Sequence, residues 1–194
     1  MRERKNFWDR NAGLYDRFMR KDKEAYEKMY ELIRPVVKDK TVLELATGTG
    51  LIAKHIVNAT VHIEATDASA EMIAEAKRDN RSAKLHFSVQ DMFSLSYEGN
   101  SFDVVIVSNA LHIVPQPEKA LAEIHRVLKP GGIFFICNEA NGETTKDDKW
   151  MQIINGMTIY TDTALKGYLE QAGFCKMQRH KNKNGWLRVT AQKR

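Results

Sequence analysis

Val42-Leu-Glu-Leu-Ala-Thr-Gly-Thr-Gly50 decides how this chain is read. A short β-branched and apolar run, Val42 to Ala46, stops at a glycine cluster, and Ile52, Ala53, Ile56 and Val57 then fall on one helical face. That is a strand, a tight turn and a helix. Outward from it the pattern repeats. Val61 to Thr66 reads as a second strand, Asp67-Ala-Ser69 as the cap of a helix carrying Met72, Ile73 and Ala76, and Leu85 to Val89 as a third strand. Phe102 to Ser108 is a fourth, and its unalternating Val104-Val-Ile-Val107 suits a strand covered on both faces.

Beyond Pro115 and Pro117, a helix places Ala120, Leu121, Ile124, Val127 and Leu128 on one face. Lys129-Pro-Gly-Gly132 ends it, and Ile133 to Cys137 is a fifth strand. Thr161 or Asp162 caps a last helix with inner residues Leu165, Tyr168, Leu169 and Ala172, stopped by Gly173. Phe174 to His180 and Gly185 to Gln192 form an antiparallel hairpin about Asn182-Lys-Asn-Gly185. In the first forty residues, Phe7-Trp8, Leu14-Tyr15, Phe18-Met19, Met29-Tyr30 and Leu32-Ile33 fit helices laid over the domain and ended near Pro35. Alternating strands and helices predict an α/β domain built in layers with right-handed crossovers.

The 194 residues suit one domain, and 43% hydrophobic with 28% charged residues excludes a disordered tail, a collagen-like fibre or a disulfide scaffold. Cys137 and Cys175 show no CxxC spacing, so a reduced, cytoplasmic protein is expected. The apolar runs are too short for a membrane span, and Met1 to Trp8 lacks the apolar core of a signal peptide. Net charge is +5, with seven Lys or Arg and no acid between Cys175 and Arg194. No aromatic row accompanies them, so a solvated face is favoured over a nucleic-acid surface. His55, His62, His86, His125 and His180 show no metal-like spacing, and no metal is expected. The eight methionines are scattered and read as core filler.

In open parallel sheets, ligands sit beyond the carboxyl ends of the strands. There the chain carries Ala46 to Gly50, Asp67, Gln90-Asp91-Met92 and Ser108-Asn109-Ala110. Glu44, Asp67 and Asp91 recur at intervals of 23 and 24 residues, one strand–helix unit each. The glycines admit close backbone approach. Asp67 is placed to accept from a ribose diol and Asp91 from the exocyclic amine of adenine, with Met92 and Phe93 as apolar surface. Glu44 orients the glycine turn or faces a cation. An acidic crevice without a basic phosphate partner fits an adenosine bearing a positive substituent better than one bearing phosphates.

These stretches resemble a known family. Val42 to Gly50 looks like motif I of class I S-adenosylmethionine-dependent methyltransferases, and Ile63 to Met72 resembles their second motif. Phe102-Asp-Val-Val-Ile-Val-Ser-Asn-Ala-Leu-His112 and Leu128-Lys-Pro-Gly-Gly132 resemble later ones. Phe7-Trp8-Asp9 to Tyr15-Asp16 is similar to the lead-in of the quinone-biosynthesis C-methyltransferase branch. The resemblance covers nearly the whole chain. It implies a Rossmann-like three-layer sandwich, with a seven-stranded, mostly parallel sheet, an antiparallel last strand and an N-terminal helical lid. It implies one domain over 1–194, with a cap at 1–40, a cofactor half at 41–138 and an acceptor half at 139–194.

It further implies S-adenosylmethionine as cofactor and S-adenosylhomocysteine as product. The loop Ala46, Thr47, Gly48, Thr49 and Gly50 would take the methionine part. Asp67, with Ala68 and Met72 after it, would take the ribose, and Asp91, Met92 and Phe93 the adenine. Asn109 and Ala110 would lie beneath the sulfonium. Ala46 stands where many relatives have glycine. No Asn/Asp-Pro-Pro-Tyr motif follows strand four, which speaks against an adenine methyltransferase. The expected partner is a small-molecule acceptor, its identity and acceptor atom open, and the protein a monomer or homodimer.

Two other classes stay open. Gly48-x-Gly50-x-x-Ala53 also matches a nicotinamide dinucleotide fingerprint, although Asp67 comes slightly early and Glu44 and Asp91 are superfluous there. An RNA-directed or non-catalytic adenosine-binding protein is the other. His112 is a candidate general base or a packed loop residue, and Tyr15 a lid over the cofactor or a buried ring. Tyr160 faces the acceptor or caps the core. The stretch 138–160, polar and then apolar, is a candidate mobile lid.

Overall fold

The computed structural model describes residues 23–111, 114–139, 162–181 and 186–194. Tyr15, His112, Tyr160, most of the N-terminal cap and nearly all of the 138–160 stretch lie outside the described residues. The chain divides into two units, one ending at Ser96 and the other beginning at Tyr97.

In the first unit, helix α1 (Lys23–Val37) buries Tyr26, Met29, Tyr30, Ile33 and Val37, the three-and-four spacing of one helical face. Pro35 lies in the last turn, and the helix ends two residues on at Val37, near the proline as expected. A proline near the C-terminus forfeits one backbone bond, which the buried Ile33 and Val37 on either side offset. Tyr30 stacks on His55 with ring centres 4.4 Å apart, seating α1 against α2 (Leu51–Ile56).

Strands β1 (Thr41–Leu45), β2 (His62–Asp67) and β3 (Leu85–Val89) run parallel in the order β3-β2-β1. Helix α3 (Ala70–Arg78) connects β2 to β3. Ser69 caps α3, its hydroxyl accepting from the Met72 amide at 3.1 Å, so the cap expected between residues 67 and 69 falls on the serine. The register sets Glu44 opposite Ala65 and Asp67 opposite Val89. One face of β2 and β3 buries Ile63, Ala65, Leu85 and Phe87. On the other, the Glu64 carboxylate holds both His62 Nε2, at 2.7 Å, and His86 Nδ1, at 2.8 Å.

In the second unit, β4 (Phe102–Ser108) lies parallel to β5 (Leu128–Glu139), joined through helix α4 (Pro117–Val127). Strand β5 starts at Leu128, five residues before the sequence pattern suggests. Leu128 pairs with Phe102 and Ile133 with Val104, so Lys129 to Gly132 form a bulge inside the strand rather than a loop before it. Lys129 Nζ holds it by donating to Asp103 Oδ1 at 2.9 Å. Helix α5 (Asp162–Gln171) buries Leu165 and Leu169. Strands β6 (Phe174–Lys181) and β7 (Trp186–Lys193) complete the order β4-β5-β7-β6, with β7 antiparallel to both neighbours. Three strands in one unit and four in the other give the seven-stranded, mostly parallel α/β class with an antiparallel last strand.

Candidate cofactor site

The turn after β1 carries its left-handed residues at alternate positions, with φ +53° at Ala46, +57° at Gly48 and +79° at Gly50. That alternation underlies the Ala-x-Gly-x-Gly spacing, because an L side chain is strained in this region. Gly50 has a second constraint. A Cβ there would stand 2.5 Å from Phe87 Cζ and 2.6 Å from Cε1, atoms of a ring that is itself buried. Glycine at 50 therefore fits the loop onto Phe87 rather than opening room for a ligand, as the spacing alone suggests.

The loop's amides are largely committed. Thr47 N–H donates to Thr66 O at 2.9 Å and Gly50 N–H to Thr47 O at 3.0 Å. Gly48 N–H donates to Asp67 Oδ2 at 2.9 Å, while Asp67 Oδ1 accepts from Ser69 N–H at 2.9 Å. Asp67 thus ties the glycine turn to the cap of α3. Thr49 is buried, and Ala68 beside Asp67 is exposed. Met72 is buried in the core behind the cap.

Glu44 is the unusual group. It is the penultimate residue of β1, two residues before Ala46, with 2% of its surface exposed. Burial pushes its carboxyl up to about 8, so it is mostly neutral at pH 7. The Thr47 hydroxyl and the Ala53 amide, in the first turn of α2, pull it back down, and the Asp67 charge adds a push upward. Even so, Glu44 Oε2 and Thr47 Oγ1 are both buried without a hydrogen-bond partner of good geometry. Buried polar oxygens left unmatched cost roughly 1–3 kcal/mol each, and these two fit a polar ligand group.

At the end of β3, Asp91 is exposed, and its Oδ1 accepts from Phe93 N–H at 2.9 Å. Met92 and Phe93 are half-buried. Gln90, placed at this strand end by the sequence reading but given no role, shapes this turn. Its amide donates to Asp67 O, and its Oε1 accepts from both the amide and the hydroxyl of Ser96 at 3.0 Å. Val89 is a second residue missed. It pairs with Asp67 yet stays 50% exposed, apolar surface left open beside a carboxylate. Strand periodicity hides both, because it says nothing of what lies across the neighbouring strand's end.

In the second unit, Asn109 follows β4 in a left-handed conformation, φ +51°. Its amide donates to Cys137 O at 2.7 Å, and its Oδ1 is buried without a partner. Ala110 is buried beside it. Among the described residues, no group of three or more His, Cys, Asp or Glu side chains is placed to hold a metal ion. Among them, too, no helix is long and apolar enough to cross a membrane.

Residues 43–136 match the methyltransferase domain family. This segment is a methyltransferase domain. The domain is 40% identical over 101 residues to a demethylmenaquinone methyltransferase of Renibacterium salmoninarum, covering 52% of this chain and 42% of that protein. The corresponding protein of Leptospira interrogans is 29% identical over 183 residues, 88% of this chain and 72% of its own length. Over the first relatives matched, the chain spans only 34% to 43% of their length. A solved chain from the Haloferax volcanii complex of the Trm112 methyltransferase activator with a methyltransferase superposes with a TM-score of 0.83 at 22% identity, covering 95% and 96% of the two chains. The [4+2]-cyclase SpnF superposes at 0.76 with 21% identity, covering 88% and 82%. Both share the Rossmann-like methyltransferase fold. The cyclase shows that this fold alone does not name a reaction.

Proposed function

We propose that the methyltransferase domain uses S-adenosylmethionine to methylate a small-molecule acceptor. The observation that carries this reading is the buried Glu44 carboxyl beneath the glycine turn, with its unpartnered Oε2 beside the unpartnered Thr47 Oγ1. A dinucleotide fold keeps the turn and the helix start free to donate to a pyrophosphate. Here the protein's own acids use those donors: Asp67 takes Gly48 N–H, and Glu44 leans on the Ala53 amide. A primary ammonium at the amino-acid end of the cofactor can donate to both oxygens.

In this reading Glu44 and Thr47 hold the ammonium, while Ala46, Gly48, Thr49 and Gly50 shape the turn around the methionine part. Asp67, an acceptor with about four lone-pair sites, holds the turn and takes the ribose diol, with Ala68 and Met72 completing the cap behind it. Val89, Met92 and Phe93 offer apolar surface to the purine, and Asp91 accepts from its exocyclic amine. Asn109 and Ala110, at the end of β4, keep the role beside the sulfonium that the family resemblance implies. When bound, the cofactor supplies an electrophilic methyl on a sulfonium, already a good leaving group. The chain's work is then to align the acceptor and exclude water, and positioning contributes about 7–11 kcal/mol in favourable cases. The likeness to demethylmenaquinone methyltransferases supports a small acceptor over nucleic acid. Both cysteines are free thiols, which supports placing the protein in the cytoplasm.

Calorimetry tests the reading. S-adenosylhomocysteine is expected to bind with a dissociation constant of order micromolar, about −8 kcal/mol, and reduced nicotinamide dinucleotide not at all. Nicotinamide binding in place of the nucleoside overturns it. A screen of small acceptors, read by S-adenosylhomocysteine formed, then separates a methyltransferase from a protein that only binds the cofactor.

A further inference from the structure

Strand β3 is the outer strand of the sheet, so the turn that leaves it has β2 on one side only. Residues 90–96 form a closed turn all the same. Ser94 N–H donates to Asp91 O at 3.0 Å, and Phe93 N–H to Asp91 Oδ1 at 2.9 Å. Leu95, 7% exposed, pins the turn from within. The bonds that shut it belong to Gln90. Its Oε1 takes the amide and the hydroxyl of Ser96, each at 3.0 Å, while its Nε2 donates to Ser88 Oγ at 3.3 Å. Its backbone N–H donates to Asp67 O at 3.0 Å. One residue thus ties the turn to β3 behind it, to its own far end and to the strand end that carries Asp67.

Between the two ends that Gln90 joins lie Asp91, Met92 and Phe93. The bond from Phe93 uses Oδ1 of the exposed Asp91 carboxylate, whose other oxygen is also an acceptor. A carboxylate on an untied loop samples many positions, and ordering it at the moment of binding costs affinity. Resting on the cofactor reading above, we infer that Gln90 is a positioning residue for the purine: it holds the turn preformed, fixes where the Asp91 carboxylate stands, and so sets the preference for a purine bearing an exocyclic amine over one bearing an exocyclic oxygen. The amine donates to the carboxylate. An oxygen in its place sets acceptor against acceptor, and a fixed carboxylate has no means of turning aside.

Titration calorimetry with S-adenosylhomocysteine and with S-inosylhomocysteine, its counterpart with oxygen in place of the amine, reads this preference as a ratio of Kd values. Wild type is expected to bind the amino form about tenfold tighter or more. Gln90→Met keeps the side-chain length and loses both sets of bonds. Its ratio is expected to fall to within about twofold of unity, chiefly through weaker binding of the amino form. Gln90→Glu keeps an oxygen for the Ser96 donors, with the Ser88 hydroxyl now donating, and is expected to restore the wild-type ratio. A residue that only stabilises the fold moves both Kd values together and leaves their ratio alone. Should Gln90→Met not fold, Ser96→Ala removes one of the two donors at an exposed position, and its ratio is expected to lie between wild type and unity. The role of Gln90 is overturned, with the cofactor reading intact, by equal binding of the two nucleosides to wild type or by a wild-type ratio in Gln90→Met or Ser96→Ala. A glutamate variant that behaves like the methionine one overturns it too. Binding of neither nucleoside overturns both.

Discussion

The Asp67 carboxylate reaches back nineteen residues to accept the Gly48 amide at 2.9 Å, and its other oxygen takes the Ser69 amide at the same distance. One side chain at the end of β2 therefore fixes the turn after β1 and the start of α3 together. A residue expected only to touch a sugar also organises the surface that receives it.

Removing that carboxylate has two consequences. Asp67→Ala leaves Gly48 N–H and Ser69 N–H without their partner, a cost of about 1–3 kcal/mol in stability. Cofactor affinity is expected to fall as well. Asp67→Asn keeps one acceptor oxygen and should lie between wild type and alanine in urea denaturation. Stability unchanged in Asp67→Ala removes the tie from the account.

Gly50 and Phe87 are coupled by space. Gly50→Ala is expected to cost about 2–5 kcal/mol, combining left-handed strain of about 1–2 kcal/mol with overpacking of about 1–3 kcal/mol. Shrinking the ring with Phe87→Leu should recover part of the overpacking and none of the strain. A double-mutant cycle by chemical denaturation is expected to show a favourable coupling of roughly 1 kcal/mol or more. Strict additivity sinks this explanation of the glycine.

Ala46 runs the other way. At φ +53° a methyl side chain is strained, and glycine is not. Ala46→Gly relieves about 1–2 kcal/mol of left-handed strain and gives back about 0.5–1 kcal/mol through the looser unfolded chain. The net expectation is a gain of up to about 1.5 kcal/mol, seen as a raised denaturation midpoint. A clear loss of stability assigns the Ala46 methyl a packing role that outweighs its strain.

Glu44 makes stability depend on pH. Its folded-state value, about 8, lies above the ordinary carboxylate value of 4.5. Between those limits the folded chain keeps a proton that the unfolded chain has lost. Its contribution is therefore fully present below about pH 4.5 and drains away as pH rises to 8, by at most about 1.4 kcal/mol per pH unit. Glu44→Gln is expected to flatten that limb of the stability profile, measured by urea denaturation from pH 5 to 8. An identical slope in the variant assigns the dependence to other groups.

Much of the fold is legible in the chain. Leu85 to Val89 and Phe102 to Ser108 are strands with the bounds their side chains suggest. The α4 stripe Ala120, Leu121, Ile124 and Val127 is buried as its spacing requires. Leu128 is the exception. The glycine-rich stretch after Leu128 reads as a loop, yet pairing with Phe102 draws it into β5.

The candidate site divides the same way. The sequence by itself determined which residue types stand at the strand ends and the alternating left-handed turn, because side-chain period and backbone sterics act between near neighbours along the chain. Only the tertiary structure decided that Asp67 is bonded to Gly48, that Gly50 faces Phe87, and that Glu44 lies in the dark with an unmet oxygen. Those are facts of distance and dielectric, set by what other strands and helices bring within a few ångströms, and no local pattern carries them.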